Sequence, residues 1–249
     1  RLVAAQHAIE VDSPLFRSFA ERLRSSEPFR RIVLPVPFVR QGFNACSPAT
    51  VSALCRFWGT DVDATAMAEE ICYDGTPHAS QRRWIEGRGW IVRDFRVTWD
   101  VVCALIDRGV PFALSTSSAS RSHLQAVIGY DAIMRAVLIR DPNFRHSRML
   151  DADALIEEQA LWGPLGTAIL PPDQANRLAG LALPDEGLYE RHYALNEALS
   201  VHARERAWSV VQEMGAHAPG HTLCLIARLA LANYDRDPPN CLANVEQLL

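Results

Sequence analysis

No apolar run in this 249-residue chain approaches the roughly 20 residues that a membrane-spanning helix needs, so no span is predicted. Positive charge is not in excess either. Lys and Arg number 25 against 29 Asp and Glu, a net charge of -4, which argues against a nucleic-acid surface. There is no Cys-x-x-Cys and no Cys/His metal spacing. The six cysteines (Cys46, Cys55, Cys72, Cys103, Cys224, Cys241) are scattered, mostly through apolar helical patterns. That usage suits a reducing compartment such as the cytoplasm better than a disulfide framework, and no metal or cofactor is implied. No signal-peptide pattern follows Arg1, and the chain stops inside a helical pattern at Leu249, so a fragment of something longer is expected. What is present is a globular composition, 49% hydrophobic and 22% charged, with material for one or two domains.

The stretch that organises the rest is Gln41-Gly42-Phe43-Asn44-Ala45-Cys46-Ser47-Pro48-Ala49-Thr50. A turn-like run leads into a cysteine, and Ser-Pro opens a helical pattern carried by Val51, Leu54, Cys55, Phe57 and Trp58. Cys46 is thereby placed at or beside a helix N-cap, where free N–H groups and the helix dipole stabilise a thiolate. An isolated cysteine commonly does no more than pack; this placement is that of an activated nucleophile.

Along the chain, Ser13 to Leu23 predicts a helix in an N-terminal arm spanning 1–31, and Ile32 to Val39 an extended, proline-interrupted lead-in. Helices are expected to Trp58, over Asp63–Ile71 and Ser80–Glu86, then a strand at Trp90–Val97, a helix capped by Thr98, and a strand at Val110–Leu114. A polar loop follows over Ser115–Ser122. His123–Tyr130 and Ala136–Arg140 form an antiparallel hairpin turning near Asp131 to Met134; Asp151–Leu161 is helical and Gly166–Leu170 is a last strand. Helices first and an antiparallel sheet after them make an α+β domain over 32–172. From 173 to 249 only helices are expected, at roughly 188–201, 203–214, 221–234 and 239–249. At an offset of 34 residues this tail pairs Leu195 with Leu229, Ala198 with Ala232, Ala207 with Cys241, Val211 with Val245 and Met214 with Leu248. It resembles two degenerate tetratricopeptide units, an interaction or packing module and not a chemical one.

A cysteine nucleophile needs a base, and the base an orienting partner. Of eight histidines, His123 alone opens an apolar strand after a polar loop. Strict alternation puts His123, Gln125, Val127 and Gly129 on one face, and places Asp141 at the same open end of the hairpin, about 5 Å away at Cβ. Its carboxylate is then positioned to hold Nδ1–H of the ring. Gln41 and the Cys46 N–H supply two donors for an oxyanion.

Gln-x4-Cys-x-Pro-Ala (Gln41–Ala49), Gly-x-Pro-Phe (Gly109–Phe112), His-x5-Gly-Tyr-Asp (His123–Asp131) and Asp-Pro-Asn (Asp141–Asn143) together resemble the bacteriocin-processing, double-glycine-leader cysteine peptidases and their stand-alone relatives. The resemblance covers about Ile32 to Pro171 and implies a papain-like fold, with Cys46 as nucleophile, His123 as base, Asp141 as its orienter and Gln41 in the oxyanion hole. The chain departs from the transporter-linked pattern at Ser47, where Gly is usual, and at Ala45, where Asp is usual. Both positions bear on leader specificity. The reading is a bacterial cysteine peptidase acting on a peptide or protein, with the helical tail recruiting substrate or a protein partner. The same site resolved by an amine would be a transpeptidase or ligase, and a degenerate one a leader-peptide-binding scaffold. Trp84, Trp90, Tyr130 and Phe144 are candidates for the substrate groove as well as for the core.

Overall fold

The computed structural model describes residues 30–118, 122–161 and 163–248; the helix expected from Ser13 to Leu23 lies outside them. Strand β1 (Arg31–Val33) is followed by helices α1 (Cys46–Phe57), α2 (Ala64–Ile71) and α3 (His78–Glu86). Then come β2 (Ile91–Arg96), α4 (Trp99–Asp107), β3 (Phe112–Ser117), β4 (Ser122–Asp131), β5 (Ala136–Arg140) and β6 (Arg148–Asp151). Helix α5 (Ala152–Glu158), β7 (Leu165–Leu170) and a 3₁₀ turn (Pro172–Leu178) lead to α6 (Glu186–Ser200), α7 (Arg204–His217), α8 (Thr222–Tyr234) and α9 (Pro238–Leu248). The architecture is α+β. Local chemistry sets the helix starts. The Asp63 carboxylate accepts the Thr65 N–H at 2.8 Å, the Thr98 hydroxyl accepts from Val101 at 3.4 Å, and Asp151 accepts from Ala154 at 2.9 Å.

The strands form one sheet in the order β2-β7-β3-β4-β5-β6, every neighbour antiparallel, and β1 pairs with the Asp131 end of β4. Helices α1, α2 and α3 cover one face through Val51, Leu54, Met67 and Ile85. Helix α4 covers the other through Val101, Val102, Leu105 and Ile106, joined by Leu155 of α5. Strand β4 is therefore buried on both sides, and its apolar run carries no phase of its own. A bulge between Val127 and Gly129 breaks the expected alternation. Val127 faces Ile139 and Tyr130 faces Val137 in one core, while Gly129 opposes Leu138, which belongs to the other. Gly129 is where β1 presses closest, and a Cβ there would collide with the Ile32 carbonyl. No strand is expected at β6, because Arg-Met-Leu-Asp is too short and mixed to show a period.

The segment after β7 stays on the sheet: Leu178, Leu181 and Leu183 pack on the α4-side core before the tail helices begin. The tail then forms two hairpins with a core of their own, including Leu195, Val211, Met214 and Leu231. They repeat in detail. His202 and Arg236, 34 residues apart, both turn the chain in the left-handed region, at φ 58° and 54°. Ala203 N–H donates to Ala198 O at 2.8 Å, and Asp237 N–H donates to Ala232 O at 2.9 Å. A left-handed His explains why no breaker residue marks the α6–α7 turn.

Helix α6 shields the outer edge of β2. The Arg96 N–H donates to Pro184 O at 2.9 Å, and Arg96 and Arg93 pair with Asp185 (2.6 Å) and Glu186 (3.2 Å). Behind this edge lies a buried charge cluster. Arg82, its side chain 4% exposed, bonds Asp94 at 2.9 Å, Glu86 at 2.9 Å and Glu190 of α6 at 2.7 Å. Asp94, 1% exposed, also receives His78 Nε2 at 3.0 Å and the Thr167 hydroxyl at 2.7 Å. Removing one member strands the others away from water, so Arg82→Ala is expected to cost about 3–5 kcal/mol of unfolding free energy. Arg88→Ala, which breaks the exposed Arg88–Glu70 pair (3.1 Å), is expected to lose only about 0–1 kcal/mol from that pair. Chemical denaturation of the two variants checks the contrast, and equal losses would contradict it.

Candidate active site

The helix that carries Cys46 begins on it. Ala45 is the N-cap and contributes no side-chain hydrogen bond to the first turn, whose Ser47 N–H is left to the Cys46 sulfur. The preceding turn is set by Asn44, which adopts φ 51°, and by the Ala45 N–H donating to Gly42 O at 3.4 Å. The Asn44 amide donates to Asp74 at 3.3 Å, anchoring the turn to the α2–α3 connection.

Helix α1 meets β4 at Leu124. The Cys46 sulfur is hydrogen-bonded by the Leu124 backbone, and the Thr50 hydroxyl, one turn on, donates to the Leu124 carbonyl at 2.9 Å. Cys46 and Thr50 stand at i and i+4, on the one helix face that lies against the strand. This docking brings Cys46 to His123, the residue before Leu124, whose ring interacts with the sulfur. On its other side the ring's Nε2 lies 3.0 Å from Asp141 Oδ1. The expected Nδ1 contact is therefore corrected. Asp141 takes Nε2, which leaves Nδ1 as the ring nitrogen free for the sulfur. Asp141 is 3% exposed at its side chain; its Oδ1 also accepts the Asn143 N–H at 2.9 Å, and Arg148 Nη1 stands 3.5 Å from Oδ2.

Gln41 lies in the segment entering the turn before Cys46, and its N–H donates to Pro142 O at 3.2 Å, strapping that segment to the Asp141 loop. Its Oε1 is buried without a partner. The structure thus brings Cys46, His123 and Asp141 together and ties the Gln41 backbone to the residue after Asp141. Sequence reasoning missed Thr50 and a second buried pair, Ser47 Oγ donating to Gln81 Oε1 at 2.5 Å. The Cys46/Thr50 spacing carried a signal for the first. Nothing local pointed to Gln81, 34 residues away. Of the aromatic groove candidates, Tyr130 is core and Phe144 is half exposed beside Asp141. Trp84 and Trp90 line a cavity of about 420 Å³ with Cys55, Met67 and Glu70. Cys55 lies nine residues along α1 from Cys46, about 14 Å at the helical rise.

Burial alone would push the Cys46 thiol up. The His123 hydrogen bond, the Leu124 backbone, the His123 charge and the Ser47 backbone outweigh it and hold the thiol below its ordinary value. For His123 the Cys46 hydrogen bond is the largest effect and raises the ring. Burial opposes it, and the Asp141 bond and charge add to it, for a net rise. Buried thiols without such partners go the other way, Cys55 to about 12 and Cys103 to about 11. The thiolate of Cys46 is present above its lowered pKa and lost as pH falls through it. Limiting alkylation is therefore expected to label Cys46 first, with a midpoint below the ordinary thiol value of about 8.5, moving upward in His123→Ala. An ordinary midpoint in both proteins would show that no ion pair forms.

A family model described as Peptidase_C39 like family matches residues 33–168, more than half of the chain. No curated protein matches it in sequence. Among solved structures, the chain is similar to the peptidase domain of Streptococcus ComA, described as a bi-functional ABC transporter involved in a quorum sensing pathway. The identity is 18% and the TM-score 0.47, covering 55% of this chain and 98% of that one. It is also similar to a putative C39-like peptidase from Bacillus anthracis, at 15% identity and TM-score 0.47, covering 57% and 98%. A third is a double glycine motif protease from an AMS/PCAT transporter, solved in complex with the leader peptide, at 13% identity and TM-score 0.43, covering 59% and 99%.

Proposed function

The chain belongs to the Peptidase C39-like family, and from that premise we propose that it is a cysteine peptidase cleaving a peptide or protein substrate at Cys46. The observation that carries the reading is that His123, 3.0 Å through Nε2 from Asp141, also lies against Cys46 and lowers its thiol pKa. In the proposed reaction the Cys46 thiolate adds to the scissile carbonyl. The oxyanion is held by the Cys46 N–H, which has no acceptor within the helix, and by Gln41 Nε2, the amide end opposite the buried Oε1. His123 gives its Nδ1 proton to the leaving amine as the C–N bond breaks, leaving a thioester. It then takes a proton from the water that hydrolyses the thioester, and the acid and the thiolate are released. Asp141 holds the ring in place and stabilises its charged form. The rim of the site is open: Phe43 is 95% exposed and Phe144 50%. Water reaches a thioester there, which favours hydrolysis over transfer to an amine.

The two hairpins from Glu186 to Leu248 are proposed to be a tetratricopeptide-like pair that recruits the substrate or a partner. The unpaired state of all six cysteines supports a reducing compartment. Among the described residues no helix is long and apolar enough to cross a membrane.

A mixed peptide library with mass-spectrometric readout tests the reading. Cys46→Ala is expected to abolish cleavage, and Gln41→Ala to lower kcat about 10²- to 10³-fold, the loss typical of one oxyanion donor. Cleavage that survives Cys46→Ala would overturn the mechanism.

A further inference from the structure

The connection from β5 to β6 concentrates positive charge that the cleavage chemistry does not use. Arg140, Arg145 and Arg148 surround Asp141 in sequence, and Arg40 joins them through the Gln41–Pro142 backbone bond. The patch is held together locally. Arg140 Nη1 donates to Arg145 O at 3.1 Å, and the Arg148 guanidinium stands 5.0 Å over the Phe144 ring. Among the described residues Asp141 is the one carboxylate paired with any of these arginines, and it is buried and already engaged with His123 and Asn143. Elsewhere the pattern differs: Arg82, Arg83, Arg88, Arg93 and Arg96 each face a carboxylate. The chain contains no lysine, so all 25 of its basic side chains are guanidinium forks suited to bidentate carboxylate binding.

The direction of the substrate follows from proton transfer. His123 must reach the leaving amine, so the leaving half of the peptide lies on the His123 side of the sulfur. Asp141 and its loop lie on that side, beyond the ring. We propose that this arginine-rich loop selects substrates with acidic side chains in the first few residues C-terminal to the scissile bond. The proposal rests on the peptidase reading for its register, and on the unpaired arginines for its charge. The Phe144 ring offers an apolar platform between those charges.

The test uses Cys46→Ala protein and two fluorescein-labelled peptides, one rich in Asp and Glu and one its Asn/Gln isostere, followed by anisotropy. The acidic peptide is expected to bind about tenfold more tightly at low salt, and to lose the advantage near 0.5 M salt, where the Debye length falls to about 4 Å. Arg145→Glu and Arg40→Glu should each remove most of the preference, while Arg206→Glu on the tail, the same change in net charge, should leave it. Equal affinities, or an equal loss in Arg206→Glu, would overturn the proposal. Wild-type cleavage of the mixed library then tests the register. Asp and Glu enriched after the cut bond support it, and enrichment only before the bond overturns it. An acidic preference in binding with no cleavage at all would sink the peptidase reading while leaving the loop's carboxylate selectivity standing.

Discussion

The seating of helix α1 on strand β4 is the contact from which the rest of the site follows. At Leu124 the strand gives a backbone hydrogen bond to the Cys46 sulfur and takes one from Thr50. Two bonds one helical turn apart fix both the height and the rotation of the helix. Once they are made, the residue before Leu124 stands beside the sulfur, and that residue is His123. The β4–β5 pairing then sets where Asp141 falls, and the Asp141 loop in turn holds the Gln41 segment through Pro142. Sheet, helix and the turn before Cys46 are thus three legs of one support. Each leg is packed from behind, by Val51 and Leu54 on one face of the sheet and by Leu105 and Ile106 on the other.

This arrangement accounts for opposite shifts in two otherwise ordinary groups. Desolvation alone would neutralise both the thiol and the imidazole. Their mutual hydrogen bond reverses the outcome for each, and a buried Asp141 extends the effect from the far side of the ring. Cys55, on the same helix but with no such neighbour, shows what burial does unopposed.

How much of this was legible depended on the range of the interaction. Cys46, His123 and Asp141 could be picked out because each sits at the end of an element whose start or stop has a local signature: Ser-Pro, a polar loop, Asp-Pro. The orientation of the His123 ring could not be read, because it depends on which side of the ring the helix arrives, and that is set by Leu124 and Thr50, 74 residues apart. The bulge at Val127–Gly129 was invisible because a strand buried on both faces has no polar phase to shift. Ser47–Gln81 and the Arg82 cluster were missed for a related reason. A glutamine or an arginine in a short helix reads as a solvated position until Asp94 and Glu190 arrive from β2 and α6. That cluster also joins the tail to the α+β body, so the hairpins are seated on the edge of the sheet and not held on a free linker.

The central claim is that Cys46 and His123 share a proton as a pair. The most direct measurement is an NMR titration of the His123 imidazole in the wild type and in Cys46→Ala. The account predicts a midpoint above the ordinary value of about 6.5 in the wild type, falling when the sulfur is removed, because the Cys46 hydrogen bond is the largest effect raising the ring. A midpoint unchanged by Cys46→Ala would mean that the ring does not feel the sulfur, and the site described here would not be a working pair.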